Sequence, residues 1–379
     1  GIRDIGVTGV QTCALPIWNT LLTHESRIWE RSNKPLTVNP KDVEIPSYFP
    51  DIPEVRNDIA RKYSNIEAMD EKVGEIISQL EEDGLLENTI IMFWSDHGGN
   101  LLRQKRAVGN SGLNVPLIIR YPNKIDAGKV DDRIVSLMDL GPTVLSLLNI
   151  EPPKHYDGKA IAGQYEESPR KYAFGTADRF DESTDMQRSV LDGRYVYIKN
   201  FMPELPLIYR NKYRERITMN SKLIQLDSLD MLEGDAKYIF MKTKPSEEFY
   251  DLETDPYEVN NIIDDPKYAD RINNFRDALQ NWQNEINDQG FIPENKIVES
   301  FWPNLIQPKT ENVEFKMRDD GLYELTSITN GASIGYQIED QIGTNSWSLY
   351  YKPILLGDKQ KIVARAIRLG YKASEITSN

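Results

Sequence analysis

From Pro53 onward, apolar side chains recur at helical spacing. Ile59, Tyr63, Ile66, Met69, Val73, Ile76, Ile77 and Leu80 fall on one face, which predicts an amphipathic helix with Gly84 as its stop. Asn88-Thr-Ile-Ile-Met-Phe-Trp94 follows, an unbroken apolar run of strand length. Such a run suits a strand buried on both faces, as in a parallel sheet under helices. Val115-Pro-Leu-Ile-Ile119 reads as a second buried strand, and Leu137 to Leu148 as a helix with Pro142 near its first turn. Helix, turn and buried strand in succession form an α/β pattern.

After Ile150 the texture changes. Tyr172 to Thr176 and Tyr195 to Lys199 read as short strands of an antiparallel sheet. Over Lys267 to Asp288, the apolar positions Tyr268, Ile272, Phe275, Leu279, Trp282 and Ile286 are spaced 4, 3, 4, 3, 4. That is a clean stripe for packing a helix on a sheet. Residues 291–310 carry prolines and little periodicity and read as a linker, and from about Val313 short β-type runs alternate with Gly and Asn turns. The expected organisation is therefore residues 18–150 in an α/β domain, 151–290 in a smaller antiparallel subdomain with the long helix packed on it, and 311–379 in a small all-β module.

Gly1 to Ile17 stand apart. Val7-Thr-Gly-Val-Gln-Thr-Cys-Ala-Leu-Pro-Ile17 resembles the translation of a sequencing-library adapter, so these residues are set aside as a non-native scar; the alternative is a genuine N-terminal strand. The single cysteine, Cys13, falls inside this stretch. An internal disulfide framework and a cysteine-rich zinc site are thereby excluded. On this reading the native N-terminus is missing, and the lack of a leader says nothing about export.

Composition narrows the function classes. With 379 residues the chain is long enough for about two or three domains. Its formal charge of −14 argues against a nucleic-acid backbone as the main partner, although a local basic pocket remains compatible with it. No apolar run reaches the roughly 18 residues of a membrane span.

The chemistry concentrates after the first apolar strand. Asp96 and His97 follow Trp94 directly, and ligands of open α/β sheets bind beyond the carboxyl ends of strands. A carboxylate followed by Gly98-Gly99 sits on backbone that can turn sharply, and an oxygen-rich site of this kind suits calcium or magnesium. A capping Asp at a strand-end turn is the competing reading. Arg103, Lys105 and Arg106 come next. Cations beside a metal are wanted where an oxyanion is bound and negative charge develops, but a solvated loop balancing local charge would look the same. His155, between Lys154 and Tyr156, reads as a loop residue.

Trp94-Ser-Asp-His-Gly-Gly99, Lys105-Arg106 and Gly112-Leu-Asn-Val-Pro-Leu-Ile-Ile-Arg-Tyr-Pro122 resemble the second half of the sulfatase domain, in the alkaline-phosphatase-like superfamily. Val135-Ser-Leu-Met-Asp-Leu-Gly-Pro-Thr-Val-Leu145 is similar to the family helix that follows a D-x-x-P-T turn. Phe249-Tyr-Asp-Leu-Glu-Thr-Asp-Pro-Tyr-Glu-Val-Asn-Asn261 looks like its C-terminal segment. Leu279-Gln-Asn-Trp-Gln-Asn-Glu285 is particularly like heparan N-sulfatases (sulfamidases). The resemblance covers about residues 19–290. The tail, from Ala332 to Tyr371, looks like a chitobiase-type C-terminal β-sandwich.

The resemblance implies an α/β sulfatase core, here N-terminally truncated, with a mixed sheet flanked by helices. It implies hydrolysis of a sulfate ester or N-sulfate on a glycosaminoglycan-like carbohydrate, and a periplasmic or secreted location in a bacterium. Asp96 would be a calcium ligand. His97 would occupy the next ligand position, where the family often has Asn. Lys105 would bind the sulfate, and His24 would contact it and assist proton transfer to the leaving group. Asp178, Arg179, Asp181 and Glu182 are candidates for recognising a charged sugar, or simply a solvated charge run. The family's C/S-x-P-x-R nucleophile motif, oxidised to formylglycine, is absent from this sequence. The chain as given is therefore expected to be inactive and its parent active. Oligomeric state is not legible.

Two alternatives stay open. Phosphate ester cleavage on the same fold would usually bring more histidines for a two-zinc site, and there are three in all. The other is a non-catalytic sugar-binding protein carried by the β-rich tail.

Overall fold

Pro53–Glu82 forms one helix of 30 residues, α1, with Pro53 and Glu54 in its first turn. Proline costs nothing there, because the first N–H groups have no intrahelical acceptor, and the acid meets the positive end of the helix dipole. Gly84 closes the helix with φ of 68°. The computed structural model describes residues 34–180, 183–212, 214–357 and 359–379. The adapter-like segment with Cys13, and also His24, Asp181 and Glu182, lie outside the described residues.

The described chain divides into two compact units, the first running to Asn287 and the second spanning Asp288–Asn379. In the first, the N-terminal half of α1 is buried through Val55, Ile59 and Ala60, which join Tyr48, Phe49, Leu101 and Leu102 in one core. The predicted stripe extends further than the burial does. Val73, Ile76 and Ile77 are only half-buried, and burial returns at Leu80.

Two strands follow, β1 (Ile91–Trp94) and β2 (Leu117–Arg120), with the short helix α2 (Asn110–Leu113) between them. They pair antiparallel, Ile91 opposite Arg120 and Trp94 opposite Leu117. Here the structure departs from expectation, since the apolar run pointed to a parallel sheet with both faces buried. Every residue of β1 is half-buried, and Ile118 of β2 is 61% exposed. Double-sided burial needs a layer on each face, and this two-stranded sheet lacks one among the described residues. Helix α3 (Leu140–Leu147) is entered through a 3-10 turn, Leu137–Asp139, with a capping box at Ser136. The buried Asp139 carboxylate accepts from the Ser136 and Lys159 N–H groups at 2.8 Å each and pairs with Arg170.

The rest of the first unit is an antiparallel sheet in the order β3 (Ala173–Phe180), β4 (Ser183–Leu191), β5 (Tyr195–Asn200), β6 (Glu247–Asp251). Helices α4 (Thr218–Ser228) and α5 (Ala236–Ile239) fill the excursion between β5 and β6. They pack into the α1 core through Met219, Leu223 and Ile239. Helix α6 (Ala269–Glu285) lays Ile272, Phe275 and Leu279 on Val190, Tyr195, Tyr197 and Phe249 of the sheet, as its spacing predicts. Trp282 stacks flat on Phe174, with centroids 4.6 Å apart.

The second unit starts with α7 (Glu294–Phe301), which lies inside the stretch read as a linker and buries none of its side chains. Two antiparallel sheets follow. One has the order β11 (Ile354–Leu355), β8 (Leu322–Thr326), β7 (Glu314–Met317). The other has the order β10 (Ser348–Leu349), β9 (Ser333–Ile338), β12 (Ile362–Ile367), β13 (Thr377–Ser378). Leu325 of the first sheet and Ile334, Ile362, Ala364 and Ala366 of the second share one core with Val313.

Candidate functional site

The loop 95–113 leaves the end of β1 and folds back on itself. Ser95 Oγ donates to the His97 carbonyl at 2.7 Å. The Gly98 N–H donates to the Gly112 carbonyl at 2.9 Å, and the Lys105 N–H to the Gly99 carbonyl at 2.6 Å. A Cβ on Gly98 would come within 2.1 Å of the Ser111 carbonyl oxygen, so a residue without a side chain is required there. Arg103 and Arg106 hold left-handed φ values of 66° and 70°. For residues with a Cβ such backbone persists only where the surroundings over-determine it.

Those surroundings come from distant segments. The Arg103 guanidinium lies over the rings of Tyr48 and Tyr238, at 4.9 and 5.1 Å from their centroids. It donates to the carbonyls of Tyr257 at 3.0 Å and Glu258 at 2.8 Å. The Glu258 carboxylate, on a residue 3% exposed, accepts the Asn110 N–H at 2.8 Å. Burial pushes its carboxyl pKa above the usual range. Gly109 leaves room for it, since a Cβ there would sit 2.7 Å from Glu258 Oε2. Arg214 donates to the Lys105 carbonyl. The 257–258 segment thus grips the loop from behind. Arg103, a candidate substrate cation by sequence, is occupied in that grip.

Asp96 and His97 lie side by side at the loop's start. The Asp96 side chain is 83% exposed, and its Oδ2 is 3.5 Å from His97 Nε2. His97 Nδ1 is 2.7 Å from the Gly98 carbonyl, and since a carbonyl only accepts, Nδ1 is the donor of that bond. Asp96, His97, Arg106, Asp178 and Arg179 line one broad trough, whose other wall includes Ile118, Ile125 and Leu137. Lys105 lines a neighbouring cleft, and Arg106 lies on the wall of both. The structure therefore gathers the candidate metal residues and two of the candidate sugar-binding residues, while Lys105 belongs to the adjoining cavity. His155 packs edge-on against Tyr156 at 5.2 Å and lines neither.

Asp178 stands where the β3–β4 register shifts, between Ala177 and Arg179. A bulge of that kind re-aims a side chain. Its carboxylate, 47% exposed, accepts from Arg188 Nη1 at 2.8 Å, and Arg188 itself is 1% exposed. The pair fixes Asp178 at the trough's edge.

Calcium takes about 6–8 oxygen ligands. No group of three or more His, Cys, Asp or Glu able to hold a metal occurs among the described residues. Asp96 offers carboxylate oxygens to such a shell, whereas the His97 imidazole brings a nitrogen donor, and the two do not complete one. Sequence reasoning missed Gln187, Tyr209, Asn211 and Arg214, which line the cleft with Lys105. The alternation Arg210, Lys212, Arg214, Arg216 was their only signal.

Residues 23–150 match the Sulfatase family model. An ulvan-active sulfatase of Formosa agariphila is 38% identical over 336 residues, which cover 87% of this chain and 56% of that protein. The N-sulphoglucosamine sulphohydrolase of Homo sapiens is 26% identical over 289 residues, 72% of this chain and 57% of that protein. A multifunctional alkaline phosphatase superfamily protein of Trinickia caryophylli is 25% identical over 239 residues, 61% of this chain and 41% of that protein. The chain spans about half the length of the curated relatives it matches. Residues 23–150 of this chain thus form a domain of the sulfatase family.

Proposed function

We propose that this chain is part of a hydrolase that removes sulfate from a sulfated saccharide, as an ester or an N-sulfate. One observation carries the reading. The loop after β1 presents an exposed carboxylate at Asp96 and cations at Lys105 and Arg106, on backbone closed by the Gly98–Gly112 and Lys105–Gly99 hydrogen bonds. Relatives named for ulvan and for N-sulphoglucosamine support a polyanionic sugar.

Asp96 and His97 would serve as two ligands of a divalent ion, calcium by the family resemblance, with the His97 nitrogen a departure from an all-oxygen shell. That ion supplies charge neutralisation for the bound sulfate. Lys105 and Arg106 hold sulfate oxygens and stabilise charge developing on the leaving side. Asp178 and Arg179, with Glu182, meet the sugar, and His24 assists proton transfer to the leaving group. Formylglycine is the expected nucleophile of the longer polypeptide, which works in the periplasm or outside the cell. In this reading residues 18–150 are the C-terminal part of the catalytic α/β domain, 151–290 its smaller subdomain, and 311–379 a module of their own. No helix among the described residues is long and apolar enough to cross a membrane.

The test extends the polypeptide at its N-terminus to the length of its relatives. Sulfate release from N-sulfated and O-sulfated glucosamine disaccharides is then measured with and without a chelator. Release that stops on chelation is expected. The likeness to the Trinickia caryophylli protein favours a second reading, ester cleavage at phosphorus. Preferential hydrolysis of a phosphomonoester would establish it, and tight saccharide binding without turnover would point to a binding protein.

A further inference from the structure

On the second unit, Ile334, Tyr336 and Ile338 of β9 point into the core shared by the two sheets, so Gly335 and Gln337 face the other way. Gly335 lies opposite Leu349 of β10 and Arg365 of β12. A Cβ on Gly335 would come within 3.4 Å of Trp347 Cε3, so the indole covers the strand at its one residue without a side chain. Gln337, itself buried, holds the loop that leads to the indole. Its Nε2 donates to the Thr344 and Ser346 carbonyls at 2.8 Å each, and its Oε1 accepts the Gly343 N–H at 3.1 Å. Trp347, Leu349 and Tyr351 are exposed, whereas Tyr350 packs on the core. That alternation sets three large apolar side chains in a row on the outer face. The Arg365 guanidinium carbon is 6.0 Å from the Trp347 ring centroid. Among the described residues Arg365 makes no ion pair and donates no hydrogen bond, and its Nε is buried without an acceptor. A buried donor left unmet is costly, so an acceptor arriving beside the ring is favoured. The acids near this face are partly engaged. Glu375 is held below its usual pKa by its partner Lys309, with a smaller contribution from Arg365. Glu339, after β9, accepts the Lys361 N–H at 2.7 Å, and Asp340 follows it in the chain. The face is therefore no general polyanion surface. Its chemistry is that of an exposed ring beside one unmatched guanidinium.

We infer that Trp347 and Arg365 form a saccharide-binding platform on the outer face of this sheet. The indole takes the face of a pyranose ring, and the guanidinium takes a sulfate or carboxylate oxygen of the same saccharide. A pyranose offers an apolar face of C–H groups with oxygen acceptors at its rim, which matches an aromatic ring beside an unmet donor. Leu349 and Tyr351 continue the apolar row, so an oligosaccharide makes more contact than a single sugar. A nucleic acid would also stack and accept, but the formal charge of −14 opposes its backbone. That the saccharide is the one whose sulfate is removed rests on the sulfatase reading, whereas the platform stands apart from it.

The test is calorimetric titration of the full chain with a heparin hexasaccharide and with a neutral glucose hexasaccharide. The heparin fragment is expected to bind more tightly. Trp347→Ala and Arg365→Gln should each weaken its binding by about tenfold or more, and Arg365→Gln should also erase the preference over the neutral sugar. Lys105→Ala should leave this binding in place. Arg365→Gln breaks no hydrogen bond with a described residue, so its melting temperature should be unchanged. It therefore decides the matter even where Trp347→Ala unfolds the unit. Undetectable binding by the unaltered chain at millimolar hexasaccharide would overturn the platform, as would equal affinities for the two sugars. So would binding that Lys105→Ala abolishes and Arg365→Gln leaves intact. A concentration-dependent dimer that Leu349→Glu dissolves would also overturn it, because the occupant would then be a second copy of the chain. Sulfate release from a disaccharide by the longer polypeptide should be the same with Trp347→Ala, so a failure of the platform and a failure of the sulfatase reading remain distinguishable.

Discussion

Lys244 and Asp185 form an ion pair 2.9 Å long with side chains 0% and 1% exposed. Lys244 Nζ also donates to the Pro206 carbonyl at 3.3 Å and the Tyr209 hydroxyl at 3.4 Å. Taking both charges out of water is costly, and the pair holds because each is compensated. Lys244→Ala strands a buried carboxylate, so the urea-unfolding free energy should fall by about 3–5 kcal/mol. Asp58 works the other way. Burial raises its pKa from 3.8 to about 6, against the Met219 backbone bond that lowers it. Its folded value lies above its ordinary one. Its contribution to stability is therefore fully present below about 4 and is lost as pH rises through about 6. Asp58→Asn keeps an acceptor for the Met219 N–H, 2.6 Å away. The variant should be more stable at pH 7 by roughly 1–3 kcal/mol and should lack the slope between pH 4 and 6 in a melting-temperature series. Glu247 has the opposite sign. Arg276 holds its pKa down at about 2, so its contribution is present above about 4.5 and is lost as pH falls through 2.

At the scale of elements, α6 was legible because its 4-3 spacing maps directly onto the face that meets the sheet. Phe275 sits at the centre of that contact, against Tyr172 and Phe249 with centroids 5.3 and 5.4 Å away. Phe275→Ala should cost about 3–5 kcal/mol, read from chemical denaturation, with the far-UV signature of the helix otherwise retained. The pairing of β1 was not legible. A short apolar run states that a strand prefers burial, and nothing in it states the direction of its partner. Likewise, the second half of α1 has the spacing of a buried face, but burial depends on what packs there. Arg103 shows the same limit at the loop. Its charge is visible in the sequence, whereas its seat between Tyr48 and Tyr238 depends on contacts far along the chain.

For the whole molecule, the sequence conveyed the order of texture, α/β then antiparallel sheet then β-rich tail. It also pointed to part of the candidate site. Asp96, His97 and the cations of the loop could be found because they sit within a few residues of one strand end. The cleft formed with Arg214 could not, since it joins segments about a hundred residues apart. What unites these pieces is the claim that the loop 95–113 grips a sulfur-centred oxyanion. On that claim Asp96 would act through a divalent ion in the trough, and Lys105 directly from the adjoining cleft. The measurement that tests it is kcat/KM for sulfate release by the N-terminally extended polypeptide, compared with its Asp96→Asn and Lys105→Ala variants. Each variant should lose on the order of 100-fold or more with its melting temperature unchanged. Turnover within threefold of the unaltered enzyme in either variant would contradict the account.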